Sequence, residues 1–247
     1  LGMLADALTE RGYDLILSRV IPTDPNWLDK MVDSGRVDGL IIIGQSDQSE
    51  TLDRVAARYL PLVVWGAHSP DQVHCSVGTD NYYGGQLAAQ HLIATGCRHI
   101  AFFGDTKAIE FKQRFEGCRD AMRAAGNENG LSIVPAHLVA EAAHADFAAY
   151  LESTQQRPDG IFAASDVIAM SALRALSEFG LSVPDDLRVT GYDGLSLGEH
   201  TVPRLTTINQ DMESGARHLV DLLMRRIAGE STESVVMQPQ LLVRKSS

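Results

Sequence analysis

Cysteine is scarce in this chain of 247 residues: Cys75, Cys97 and Cys118 are all there are, and they stand far apart. Three separated thiols build neither a disulfide framework nor a C-x-x-C metal pair, so reduced cysteines are expected. Basic charge is short as well. Against 32 Asp and Glu there are 21 Lys and Arg, a formal charge of −11, whereas gripping DNA phosphates depends on clustered Lys and Arg. Any DNA-reading element is therefore expected outside these residues. No apolar run approaches the roughly 18 residues of a membrane span, and the first residues lack the basic, apolar and small-residue order of a signal peptide. A cytoplasmic protein without membrane contact is expected.

Motifs for common chemistries are missing too. No G-x-G-x-x-G follows the early strands and no G-x-x-x-x-G-K-[ST] occurs, so nucleotide phosphates have no glycine-rich cradle. His68, His74 and Cys75 fall in one loop region and Cys97 and His99 in another. Neither set has the helical His pair or the paired Cys of a zinc site, so no metal is expected. Gly194-Leu195-Ser196-Leu197-Gly198 reads G-x-S-x-G, the turn that lifts a hydrolase serine above its sheet. Here Pro203 disfavours the long helix that should follow, and only His200 and His218 lie downstream. A glycine-rich loop after a strand is the better reading, and no catalytic residue or cofactor is expected.

What is present is alternation. Continuous apolar strands at 40–43, 62–65, 100–103, 161–164 and 187–192 alternate with segments whose apolar residues recur at helical spacing, and further strands are expected at 13–17, 75–78, 132–139 and 205–208. Strands apolar on both faces, interleaved with amphipathic helices, indicate parallel sheets covered on both sides. Asp80 is placed to cap a helix that stops at Gly96. Helices are expected at about 146–154, 166–179 and 212–227, and Pro239 marks an edge or a crossover in the closing apolar stretch 235–243. Arg36-Val37-Asp38-Gly39-Leu40 and Arg157-Pro158-Asp159-Gly160-Ile161 echo one another about half a chain apart. The echo suits two lobes of like construction, although Asp-Gly is also a common turn before a buried strand.

Ligands of open parallel sheets bind at the carboxyl ends of strands. The polar and aromatic residues falling there are Gln45, Ser46, Trp65, His68, the stretch 80–83 with Tyr82 and Tyr83, Asp105 with Arg114 downstream, Glu141, Ser165, Asp166 and Asp193. Carboxylates and an arginine fork suit vicinal hydroxyls, and an aromatic ring suits the apolar face of a sugar. Each also has a plainer role: Asp80 and Asp166 as helix caps, Arg114 as a surface residue paired with Glu110 or Asp120, Trp65 as core.

Val77-Gly78-Thr79-Asp80-Asn81-Tyr82-Tyr83-Gly84-Gly85, then His91-Leu92 and Gly96-Cys97-Arg98-His99-Ile100, resembles the signature of lactose/galactose-type (LacI/GalR) repressors. Later landmarks follow in that family's order: Arg114-Phe115-Glu116-Gly117, Pro158-Asp159-Gly160-Ile161 leading to Ser165-Asp166, Val189-Thr190-Gly191-Tyr192-Asp193, and the stretch from Pro203 to Asp211. The resemblance spans nearly the whole chain. It implies an α/β, periplasmic-binding-protein-like type I core of two doubly wound parallel-sheet lobes joined by three crossover segments, with a small-molecule effector, a sugar or glycoside, in the cleft. By matched positions it implies Arg114, Asp193, Ser165 and Gln210 as ligand-binding residues. Ser165 stands where the family often has Asn, Cys97 where it has His, and Met212 where an aromatic residue can line the cleft. The lobes are expected at 1–98 with 211–235 and at 99–210 with 236–247. Implied partners are a second copy, with Leu4 and Leu8 as candidates for packing across a two-fold axis, and operator DNA through an N-terminal helix-turn-helix. That element, a hinge and a first core strand are expected ahead of residue 1. A transport-associated sugar-binding protein shares the lobes and is the alternative.

Overall fold

The computed structural model describes residues 1–22, 24–44, 48–154 and 157–247. It divides into two units, Leu1–Thr79 with Met212–Met237, and Asp80–Asp211 with Gln238–Ser247, so the chain passes between them three times. No helix among the described residues is long and apolar enough to cross a membrane.

The first unit holds a parallel sheet of β1 (Leu40–Ile43), β2 (Leu62–Trp65), β3 (Cys75–Thr79) and β9 (Val235–Met237), in that spatial order. Successive residues of a strand point to opposite faces, so an unbroken apolar strand needs cover on both. Val63 and Val64 show this. Val63 joins Leu4, Leu8, Leu219 and Leu223 from α1 (Gly2–Thr9) and α8 (Met212–Ile227), while Val64 joins Leu28, Leu52 and Val55 from α2 (Trp27–Asp33) and α3 (Ser49–Ala56). Leu4 and Leu8 are 5% exposed within this core. They are spent inside the unit, which corrects their expected place on a two-fold axis.

The strand expected at 13–17 does not form: the segment carries no strand pairing, and Leu15, Ile16 and Leu17 are exposed. β1 is the last strand of its sheet, and a segment becomes a strand only where a neighbour satisfies its backbone groups. A cavity of about 540 Å³ opens beside β1, lined by Leu4, Leu8, Tyr13, Leu15, Ile41, Ile43 and Ile227 among others. Such an apolar surface should take up an apolar dye. ANS fluorescence is expected to rise on the native protein, with near-UV circular dichroism intact, and to fall in Ile43→Glu. Dye binding that ignores this substitution lies elsewhere.

The second unit is a six-stranded sheet in the order β10, β8, β7, β6, β4, β5, parallel except for β10 (Gln240–Leu242) against β8 (Thr206–Asn209). The others are β4 (Ile100–Phe103), β5 (Leu131–Val134), β6 (Gly160–Ala163) and β7 (Arg188–Asp193). Aromatic residues fill both sides. Phe102 meets Phe115 of α5 (Ile109–Ala124) and Phe162 edge-on, while its neighbour Phe103 stacks at 3.8 Å on Phe147 of α6 (Ala140–Ser153). The strand expected at 132–139 ends at Val134, before Pro135. The closing stretch splits at Pro239, with β9 in one unit and β10 in the other.

The residues expected to end the first lobe, 80–98, pack instead in the second unit. Their helix α4 (Asn81–Ala94) lies against α5 with backbones in contact: a Cβ on Gly85 would overlap the Arg114 carbonyl oxygen, and one on Gly117 the Tyr82 carbonyl. Glycine alone permits that approach. The helix therefore belongs with α5, and the boundary falls at Asp80, whose side chain accepts a bond from the Tyr83 N–H at 2.8 Å as the helix cap.

Candidate functional site

In the second unit the chain order reverses between β4 and β6, since β5 lies on one side of β4 and β6, β7 and β8 follow on the other. Diverging loops at such a switch leave a crevice at the carboxyl ends of the strands. Arg114 of α5 reaches that point. Its Nη1 donates to the carbonyl of Ala164, the residue after β6, at 2.6 Å, and its Nε donates to Asn81 Oδ1 at 2.8 Å. The guanidinium lies 3.6 Å from the Tyr192 ring centroid. Its side chain is 5% exposed, and Nη2 has no bond among the described residues.

Asp193, the last residue of β7, brings a carboxylate to the same place. Its Oδ1 is 3.9 Å from Arg114 Nη1 and accepts from Gln210 Nε2 at 2.7 Å. The Asp166 backbone N–H, at the first residue of α7 (Asp166–Glu178), also bonds this carboxylate. An unsatisfied N–H at a helix start favours negative charge there. Burial pushes the Asp193 pKa up, and Arg114, Gln210 and the helix N–H only partly offset it. Its backbone φ is 123°, a region costly for a residue with a Cβ.

Behind this group Ser165 caps α7 by accepting from the Ile168 N–H at 3.3 Å. Asp166 was an expected cap, but its side chain turns away to Thr207 and Leu195. Burial drives its pKa up to about 7; Thr207 opposes the rise and the charge of Asp193 adds to it.

Of the residues singled out by sequence, Arg114, Asp193 and Gln210 come together, with Ser165 at the adjoining helix start. Arg114 is a buried residue on Asn81 and Ala164, which corrects its alternative as a surface partner of Glu110 or Asp120. The Tyr82 hydroxyl donates to Asp120 at 2.9 Å on the outside of α5, and Tyr83 is similarly exposed. Glu141 is exposed in the first turn of α6. Trp65, ending β2 in the first unit, is half-buried with its ring against Gly215 of α8. Gln45 and Ser46 lie outside the described residues. Asn81, in the stretch 80–83, and Asp166 stand among the polar residues that the sequence places at strand ends, whereas the Ala164 carbonyl was not foreseen as part of the site.

Ser196 is exposed and opens a short 3-10 turn, Ser196–Glu199, rather than an α-helix. His74 Nδ1 lies 2.6 Å from Asp53 Oδ1, and the described residues contain no metal-holding group of His, Cys, Asp or Glu. The three thiols are free and buried, Cys118 with its pKa raised to about 12 by burial.

A family model described as a periplasmic binding protein-like domain matches residues 89–247. The HTH-type transcriptional regulator CelR of Thermobifida fusca is 34% identical over 97% of this chain and 72% of its own length. A solved CelR–cellobiose complex superposes with a TM-score of 0.83 at 32% identity, covering 99% of this chain and 77% of that one. A LacI family transcriptional regulator from Enterococcus faecium with bound ribose gives 0.85 at 25% identity, covering 99% and 91%. Relatives in HTH-type regulators, matched along almost the whole chain, and the two-unit parallel-sheet architecture lead to one conclusion: the chain belongs to the LacI family of transcriptional regulators, as its periplasmic-binding-protein-like, effector-sensing core.

Proposed function

We propose that the effector is a sugar or glycoside held by Arg114, Asp193 and Gln210. The observation that carries this reading is a pairing at the strand switch point. An anchored guanidinium, its Nη2 without a partner among the described residues, stands beside a buried carboxylate steadied by an amide. Donor and acceptor side by side suit neighbouring hydroxyl groups, and burial strengthens each bond. CelR with cellobiose and the E. faecium regulator with ribose are saccharide complexes of relatives, which supports the same class here. The chain acts as a binding protein and not as an enzyme. Occupancy shifts the weights of two states that differ in operator affinity, and a coupling of about 1–3 kcal/mol changes that affinity roughly 5- to 150-fold. DNA is read in the cytoplasm by a homodimer through a helix-turn-helix outside these residues. The transport-associated alternative finds less support, because the relatives matched are HTH-type regulators.

The test is a thermal-shift screen of mono- and disaccharides including cellobiose and ribose. A true ligand raises the unfolding temperature with concentration by mass action. In Arg114→Ala and Asp193→Ala, calorimetric affinity for that sugar is expected to fall about 10- to 100-fold, the worth of a charged hydrogen bond. A shift that survives both substitutions would remove the assignment, as would a silent panel.

A further inference from the structure

The Asp166 carboxyl is fully buried and sits at the junction of three elements. Its Oδ1 accepts from the Thr207 hydroxyl of β8 at 2.6 Å, and Oδ2 accepts from the Leu195 N–H at 2.7 Å. The Thr207 oxygen in turn accepts from the Gly194 N–H at 3.3 Å. Both N–H groups after Asp193 are thus tied, directly or through Thr207, to one carboxyl. Gly191 of β7 makes room for it, because a Cβ there would overlap Asp166 Oδ1. Asp166 also gives its backbone N–H to Asp193.

These contacts explain how Asp193 is kept in its unfavourable backbone conformation. A residue held at φ 123° persists only where its surroundings over-determine it. Here the two residues that follow it are clamped from Asp166, and Gln210 holds its side chain.

We propose that Asp166 is a positioning residue of the effector site: it locks the 193–195 turn so that the Asp193 carboxylate faces the ligand, and its own charge state sets how strongly that carboxylate binds. This rests on the effector reading of Asp193. The titratable group facing Asp166 is Asp193 at the end of β7; the cation nearest Asp193 is Arg114 of α5; β8 and the turn present only the Thr207 hydroxyl and backbone N–H groups. Two carboxyls in one buried site do not ionise independently. Asp166 titrates at about pH 7 against the charge of Asp193, which lies beside Arg114. Above that pH a second charge appears on Asp166. A bound ligand excludes water and sharpens the repulsion, so binding at alkaline pH draws a proton back onto Asp166.

The experiment combines side-chain carboxyl carbon NMR titration of the ligand-free full chain with calorimetry of cellobiose and ribose from about pH 6 to 8.5. In the wild type, Asp166 is expected to titrate near neutrality, and in Asp193→Asn its midpoint moves acidward because the like charge is gone. Saccharide affinity is expected to fall at least about threefold across the alkaline half of the range in the wild type and to stay level in Asp166→Asn, which keeps the shape and an acceptor oxygen. A residue with only a structural role would not change that profile. An Asp166 midpoint indifferent to Asp193→Asn overturns the proposal, and so does a wild-type pH profile in Asp166→Asn. Failure of both saccharides to bind the wild type counts against the effector reading alone; the ligand-free titration then decides the role of Asp166 by itself. Should Asp166→Asn not fold, the titrations of the wild type and Asp193→Asn still uphold or overturn the role of Asp166.

Discussion

Replacing Arg114 with alanine is expected to lower the unfolding free energy by about 3–5 kcal/mol at neutral pH, whereas Asp193→Asn should leave it unchanged or raise it. The asymmetry follows from what each substitution abandons. Arg114 is the cation that offsets the burial of Asp193, and it also satisfies Asn81 and the Ala164 carbonyl while covering the Tyr192 ring. Without it a carboxylate already held above its usual pKa by burial loses its main compensation, and two buried acceptors lose their donors. Removing the charge of Asp193 instead leaves Arg114 with both acceptors and its aromatic face. Asparagine still accepts from Gln210, and the protein no longer bears an unfavourable buried charge. Urea unfolding of both variants decides the matter. Equal losses would mean that Arg114 contributes by packing alone. A protein in which Asp193→Asn improves stability while weakening the effector would show the tension between binding and stability expected of a functional carboxylate.

Stability should also decline as pH rises from about 4 to about 7, opposite to the usual behaviour of an acidic protein. Asp166 is the cause. Its pKa stands at about 7 in the folded chain against 3.8 for the free side chain. Within that window the folded state keeps a proton that the unfolded chain has released, so the unfolding free energy falls with each step upward. Below the window both states are protonated and the contribution is complete. Above it the buried charge costs roughly 4 kcal/mol at most. Asp193, raised by burial despite Arg114, acts in the same direction. Asp53 acts oppositely: burial raises its pKa, but the His74 and Val73 N–H groups and the His74 ring outweigh burial, so its contribution is lost as pH falls below about 4. Chemical denaturation of the wild type and Asp166→Asn at pH values from about 4 to 8 tests this. The variant should lack most of the downward slope; parallel profiles would show that Asp166 ionises at an ordinary pH in the folded chain.

Much of the architecture was legible because it is written in local composition. Leu40–Ile43, Leu62–Trp65 and Ile100–Phe103 are strands apolar on both faces, and such strands need helices on either side wherever they end up. The ordered motifs identified the family and singled out Arg114, Asp193 and Gln210, which lie together in the structure. Gly85 and the glycine of the Arg114–Gly117 motif turn out to serve the α4–α5 contact, while Gly84 makes room for the Tyr192 ring. The segment 13–17 shows the limit of the same reasoning. Its apolar residues read as a strand, yet strand formation depends on a neighbour, and in this structure none pairs with it.

The sequence by itself determined which segments are able to become helix or strand and which residue types gather at strand ends, since both follow from periodicity within a few residues. Only the tertiary structure decided that α4 belongs with the second unit, that Leu4 and Leu8 face inward, that Tyr82 bonds Asp120 outside the site, and that Asp166 clamps the turn after Asp193. The reason is distance along the chain. The bonds of the Asp166 carboxyl reach partners 29 and 41 residues away, and whether a polar side chain caps its own helix or crosses to another element depends on which surfaces the fold brings within about 3 Å of it.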